Sequence, residues 1–100
     1  MIWSNFGSAS NRLAELPMKL QVLFFSVLRD ITGRDQVQLE LPGDQVWTVS
    51  GMLDRLYADY PKLQDWDKSL LVAADLDYVD RAAELQDGQE IAIMPPVQGG

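Results

Sequence analysis

The sequence predicts a small α+β domain in which one amphipathic helix packs across a mixed β-sheet. Three observations carry this expectation. The apolar stretches Lys19 to Phe25 and Glu90 to Met94, near opposite ends of the chain, have the period-two pattern of strands. Between them, Val49, Met52, Leu53, Leu56 and Tyr57 fall at i, i+3, i+4, i+7 and i+8, the single apolar stripe of a helix. The chain has 100 residues, 47% of them hydrophobic, enough for one modest core and not two.

Each element follows from its residues. In the first strand Leu20, Val22 and Phe24 share one face, and Leu23 and Phe25 lie on the other. A strand apolar on both sides has something to cover on each. Ser26 to Gly33 reads as a connection with room for a helical turn, and Gly33 suits a positive φ before the next strand. Gln36 to Leu41 alternates, with Val37, Leu39 and Leu41 on one face and Gln38 and Glu40 on the other. Pro42-Gly43-Asp44 is turn chemistry.

Thr48 is placed to cap a helix running to about Ala58. Gly51 weakens that helix by roughly 1 kcal/mol relative to alanine, and Pro61 supplies a stop. Leu70 to Ala74 reads as a short strand, Asp75-Leu76-Asp77 as a turn, and Tyr78-Val79 as pairing back. Asp87-Gly88 is a strong turn signal before a last strand with Ile91 and Ile93 inward. Trp47 and Trp66 read as packing residues at element ends. The first and last strands are the most apolar and are expected as central neighbours. That makes them parallel, as in the β-grasp or ubiquitin-like roll.

Composition excludes several kinds of chemistry. There is no cysteine, so disulfides, thiolate metal sites and a cysteine nucleophile are absent. There is no histidine, the commonest general base and metal ligand. A net charge of −7 disfavours nucleic acid and anionic membrane, and suits a basic groove on a protein partner. No stretch has the length of a membrane span, and Met1 to Asn5 lacks the features of a signal peptide, so a cytoplasmic location is expected. Asp75, Asp77 and Asp80 lack the glycine and glutamate of a calcium loop and read as a solvated turn.

The two ends differ from the middle. Residues 1–17 are rich in Ser, Asn and Ala without a long periodic face, and read as an appendage to a domain spanning 18–94. A chain beginning at Met18 is expected to fold and function. Residues 95–100, Pro-Pro-Val-Gln-Gly-Gly, read as an extended tail. Two prolines stiffen its stem. Two glycines fit a slot too narrow for side chains and leave the carboxylate of Gly100 open to reaction.

Taken together, the strand from Met18 to Phe25, Arg29 with Gly33, the helix from Thr48, Leu70-Leu-Val-Ala-Ala74 before Tyr78-Val79, Asp87-Gly88-Gln-Glu90, and Pro95-Pro-Val-Gln-Gly-Gly100 resemble the small subunits of molybdopterin synthase, the MoaD branch of the MoaD/ThiS sulfur-carrier family. The resemblance covers residues 18–100. It departs at Asp75, where asparagine is common, and at Ile93-Met94, where an aromatic pair is frequent.

The resemblance implies a carrier and not a catalyst on its own. An E1-like partner would adenylate the Gly100 carboxylate with ATP and magnesium, and a sulfur donor would convert it to a thiocarboxylate. The tail, with Gly99 threading beside Gly100, would then enter the large synthase subunit and give its sulfur to a pterin precursor. No cofactor is expected to stay bound. Phe25, Arg29, Tyr78, Met94, Pro95, Pro96 and Val97 are the expected partner-binding residues. A thiamine-pathway carrier, a ubiquitin-like modifier conjugated through Gly100, and a plain β-grasp interaction module are the competing readings.

Overall fold

The computed structural model describes residues 16–96. Their elements are β1 (Met18–Phe24), α1 (Val27–Thr32), β2 (Gln36–Leu41), α2 (Val49–Asp59), a 3₁₀ segment (Pro61–Ser69), β3 (Leu71–Ala74), β4 (Asp77–Val79) and β5 (Glu90–Met94). The five strands form one sheet in the order β2-β1-β5-β3-β4. β1 and β5 are parallel neighbours at its centre, with Val22 beside Ile91 and Phe24 beside Ile93. The other pairings are antiparallel. This is the mixed sheet of a β-grasp roll, and the central parallel pair is the one expected from the apolar character of the two strands.

The inner face follows from the alternation. Leu20, Val22 and Phe24 of β1, Ile91 and Ile93 of β5, Val72 and Ala74 of β3, and Leu39 and Leu41 of β2 are buried in one cluster. Helix α2 closes it with Val49, Met52, Leu53, Leu56 and Tyr57, the five residues of the sequence stripe. The Thr48 hydroxyl accepts the Gly51 N–H at 3.2 Å and caps the helix. The cost of glycine at position 51 has a reason in packing. A Cβ there would meet Cε3 of Trp47 at 3.2 Å, and that indole is fixed by its Nε1–H donating to the Pro42 carbonyl at 2.8 Å.

Three features were not drawn from the sequence. Residues 27–32 form a full short helix, whose Leu28 is buried and whose C-terminus is closed by Gly33 at φ 74. The stretch after Pro61 is not an open loop. It winds as a 3₁₀ segment that buries Leu63 and packs Trp66 against the core. Leu70 precedes β3 instead of opening it.

Candidate functional site

The sheet places one end of the molecule at the root of the tail. β1 and β5 run parallel, so the C-terminal ends of both strands emerge side by side. Phe25 follows directly on β1, and its N–H donates to the Ile93 carbonyl at 3.2 Å. Pro95 and Pro96 follow directly on β5 and are half-buried.

The face of the sheet away from α2 is apolar at this end. Register sets Leu23 beside Ala92, Ala92 beside Ala73, and Ala73 beside Tyr78 in one row across four strands. Met94 sits beside Leu71 in the next row. Toward the far end the same face turns polar, with Gln21 between Gln38 and Glu90, and Lys19 opposite Glu40. The apolar part carries a groove of about 250 Å³ lined by Phe25, Ala73, Leu76, Tyr78, Glu90, Ala92 and Met94. Phe25 is 44% exposed and Tyr78 70%. Phe24, one residue earlier, is 2% exposed and meets the Tyr60 ring edge-on at 5.8 Å between centroids.

Of the residues expected to contact partners, the fold gathers Phe25, Tyr78 and Met94 into this groove, with Pro95 and Pro96 leading away from β5. Arg29 lies outside the groove lining. It sits on α1 beside Arg34 and makes a loose, exposed ion pair with Asp35 at 3.7 Å. Val97, Gly99 and Gly100 lie outside the described residues, as does the greater part of the N-terminal appendage.

Leu76 was missed. It is 91% exposed and lines the groove from the β3–β4 turn. Its signal was available in the sequence: a leucine between Asp75 and Asp77, inside a turn, has no face on which to be buried. The aspartates Asp75, Asp77 and Asp80 are exposed, as the turn reading expected, and two of them also brace the backbone. Asp75 does more than face solvent. Its carboxylate accepts the Glu90 N–H at 3.0 Å and the Gln89 side-chain amide at 3.4 Å, while its own N–H donates to the Glu90 carbonyl at 2.8 Å. Asp80 likewise accepts the Ala82 N–H at 2.9 Å.

A second group of polar side chains lies away from the groove. The Tyr57 hydroxyl donates to the Asp67 carboxylate, and the Arg81 guanidinium donates to that carboxylate at 3.1 Å and to the Asp67 carbonyl. Burial, then the hydrogen bond to Asp67, raises the Tyr57 hydroxyl pKa above the ordinary phenol value. The same hydrogen bond, then that from Arg81, lowers the Asp67 pKa. This is a clasp joining α2, the 3₁₀ segment and the loop before β5. Among the described residues there is no helix long and apolar enough to cross a membrane.

A β-grasp domain with an apolar groove at the root of its C-terminal strand is the form of a tail-presenting carrier. The sequence matches the ThiS family over residues 22–100. It is 36% identical over 86 residues to the molybdopterin synthase sulfur carrier subunit of Chlamydomonas reinhardtii, covering 83% of this chain and all of that one. The subunit of the same name in Arabidopsis thaliana is 30% identical over 83 residues, covering 83% of this chain and 84% of that protein. Among solved structures, the HVO 2177 protein of Haloferax volcanii superposes with a TM-score of 0.69 at 27% identity, over 84% of this chain and 88% of that one. The chain belongs to the ThiS/MoaD family.

Proposed function

We propose that the chain is the sulfur carrier of molybdopterin synthase, with the Gly100 carboxylate as its reacting group. One observation carries this reading beyond family membership. The groove of Phe25, Tyr78 and Met94 lies directly beside the strand from which Pro95 and Pro96 lead the tail away. A protein that grips the groove receives the tail.

The chemistry follows from the terminus. A carboxylate at neutral pH is a poor electrophile. Attack of its oxygen on the α-phosphate of ATP expels pyrophosphate and leaves an acyl-adenylate, whose carbonyl carbon is reactive. A hydrosulfide equivalent adds to that carbon, and AMP departs with the C–O electron pair, leaving a thiocarboxylate. Its sulfur is a soft nucleophile suited to displace an oxygen leaving group from a carbon of a pterin precursor; that group departs with the C–O electron pair and leaves a thioester. Hydrolysis of the resulting acyl link leaves sulfur on the precursor and restores the carboxylate. With no histidine and no cysteine in the chain, the proton transfers and oxyanion stabilisation belong to the partners.

The partners are the large synthase subunit, an E1-like adenylating enzyme that uses ATP and magnesium, and a sulfur donor, all in the cytoplasm. Phe25, Tyr78 and Met94 provide the apolar contact, with Pro95, Pro96 and Val97 as the stem. Arg29 supplies a cation on α1, outside the groove lining. The chain supplies no catalytic side chain and keeps no cofactor. Residues 1–17 are an appendage to the domain.

The test is intact mass after incubation with the adenylating enzyme, ATP and a sulfur source. A single monomer carrying sulfur in place of one oxygen is expected. Deleting Gly100, or appending a residue after it, should abolish both that product and molybdopterin formation while leaving the melting temperature in place. Covalent ladders with other proteins would instead make it a modifier, and synthesis that survives the added residue would overturn the reading.

A further inference from the structure

The β3–β4 connection is a two-residue turn, flanked by the pair Ala74 and Asp77, with φ 49 at Asp75 and φ 77 at Leu76. Positive φ at both positions is the primed hairpin turn that glycine and asparagine favour, because a Cβ crowds the backbone there. Aspartate tolerates the first position. Leucine at the second is strained, and gains nothing in return within the domain, since the side chain is 91% exposed. Strain of this kind persists where surrounding structure enforces it. Here the enforcement is visible: both Asp75 carboxylate oxygens and its N–H are tied to residues 89 and 90 at the start of β5. The turn is thus locked to the strand that bears the tail.

We infer that Leu76 is a specificity-determining anchor, held out from the sheet to enter an apolar recess with a basic rim on the large synthase subunit. The inference rests on the sulfur-carrier reading and deepens it. Continuity supports the choice of partner: Leu76 shares its groove with Met94, and the stem begins at the next residue. Charge supports the rim. Glu90 lines the groove, and Asp75 and Asp77 flank Leu76. A neutral rim would desolvate the Glu90 and Asp77 carboxylates without a counter-charge, whereas Lys or Arg side chains would complement them. Glycine or asparagine at position 76 would make the better hairpin and the poorer anchor.

The two properties separate in one experiment. Leu76→Gly and Leu76→Asn relieve the backbone and remove the anchor. Both should melt at or above the wild-type temperature and bind the purified large subunit roughly thirty-fold or more weakly, the range of an interface hot spot. Leu76→Met, which keeps an apolar side chain, should bind within about three-fold of wild type on the same scale. Sulfur loading at Gly100 gives an independent readout. Wild-type chain that loads sulfur and binds the large subunit, with Leu76→Gly binding equally well, overturns the anchor and leaves the carrier reading standing. A fall in melting temperature for Leu76→Gly would make Leu76 a structural residue and also overturn it. Wild-type chain that neither loads sulfur nor binds the large subunit overturns both.

Discussion

The Tyr57 hydroxyl donates its proton to the Asp67 carboxylate, and in doing so ties the last turns of α2 to the 3₁₀ segment. Tyr57 has little exposed surface, whereas the Asp67 side chain is 43% exposed and also serves Arg81. The bond moves the two groups' pKa values apart, and stability should depend on pH at both ends of the scale.

On the acid side, Asp67 has a lowered pKa in the folded state. Its contribution is present above the ordinary carboxylate range and is lost as pH falls through the folded value. On the alkaline side, Tyr57 has a raised pKa. Its contribution is present below the ordinary phenol pKa of about 10 and declines as pH rises beyond it, because the unfolded chain ionises first. Tyr57→Phe should cost about 1 kcal/mol near neutrality, as expected for one hydrogen bond. It should also flatten the alkaline decline. Urea denaturation at a series of pH values checks both, and an alkaline limb identical to wild type would refute the assignment.

Phe24 and Phe25 should behave as opposites. Phe24→Ala removes a ring that is 2% exposed and should cost about 3–5 kcal/mol of stability. Phe25→Asp changes a residue that is 44% exposed in the groove. It should leave circular dichroism near wild type and weaken binding of the large subunit by more than about 2 kcal/mol. Calorimetric titration beside thermal melts distinguishes them.

Gly33→Ala should destabilise the fold by roughly 1 kcal/mol. No atom lies within 4 Å of the added Cβ, so the cost comes from its φ of 74 and not from a clash. Gly33→Asn, which tolerates this conformation, should recover part of the loss. Equal melting temperatures for wild type and Gly33→Ala would show that α1 ends differently in solution.

Association should be faster at low salt. The chain carries a net charge of −7, and a basic groove would steer it during encounter. Stopped-flow association rates that stay flat from low to high ionic strength would count against steering.

The sheet was readable because its alternation is clean. Val37, Leu39 and Leu41 against Gln38 and Glu40 leave one way to face the core, and Ile91 with Ile93 marks β5 as a buried strand. The stripe from Val49 to Tyr57 named the helix despite Gly51. The 3₁₀ segment was not readable, because Pro61-Lys-Leu-Gln-Asp-Trp has no period that separates it from a loop, and its order comes from Leu63 and Trp66 reaching the core. At the groove, Phe25 stood out as an apolar residue opposite the inward set of the first strand, while Tyr78 and Met94 were named through the family resemblance. Leu76 was overlooked although its place between Asp75 and Asp77 in a turn marks it as exposed; what the sequence does not show is that Asp75 reaches fifteen residues ahead to Glu90 and ties that turn to β5.

The parallel pairing of β1 with β5 has a consequence for how the protein is made. The first strand of the domain finds its central partner only in the last one, a contact spanning most of the sequence. Such long-range pairing closes late in folding. During synthesis the middle of the sheet therefore stays vacant until residues 90–94 have left the ribosome, and those residues immediately precede the tail. A chain cut short before β5 loses the sheet centre and the reactive end together. Fragments ending before residue 90 would therefore not accumulate as folded domains, because the architecture couples arrival of the last strand to acquisition of the shape.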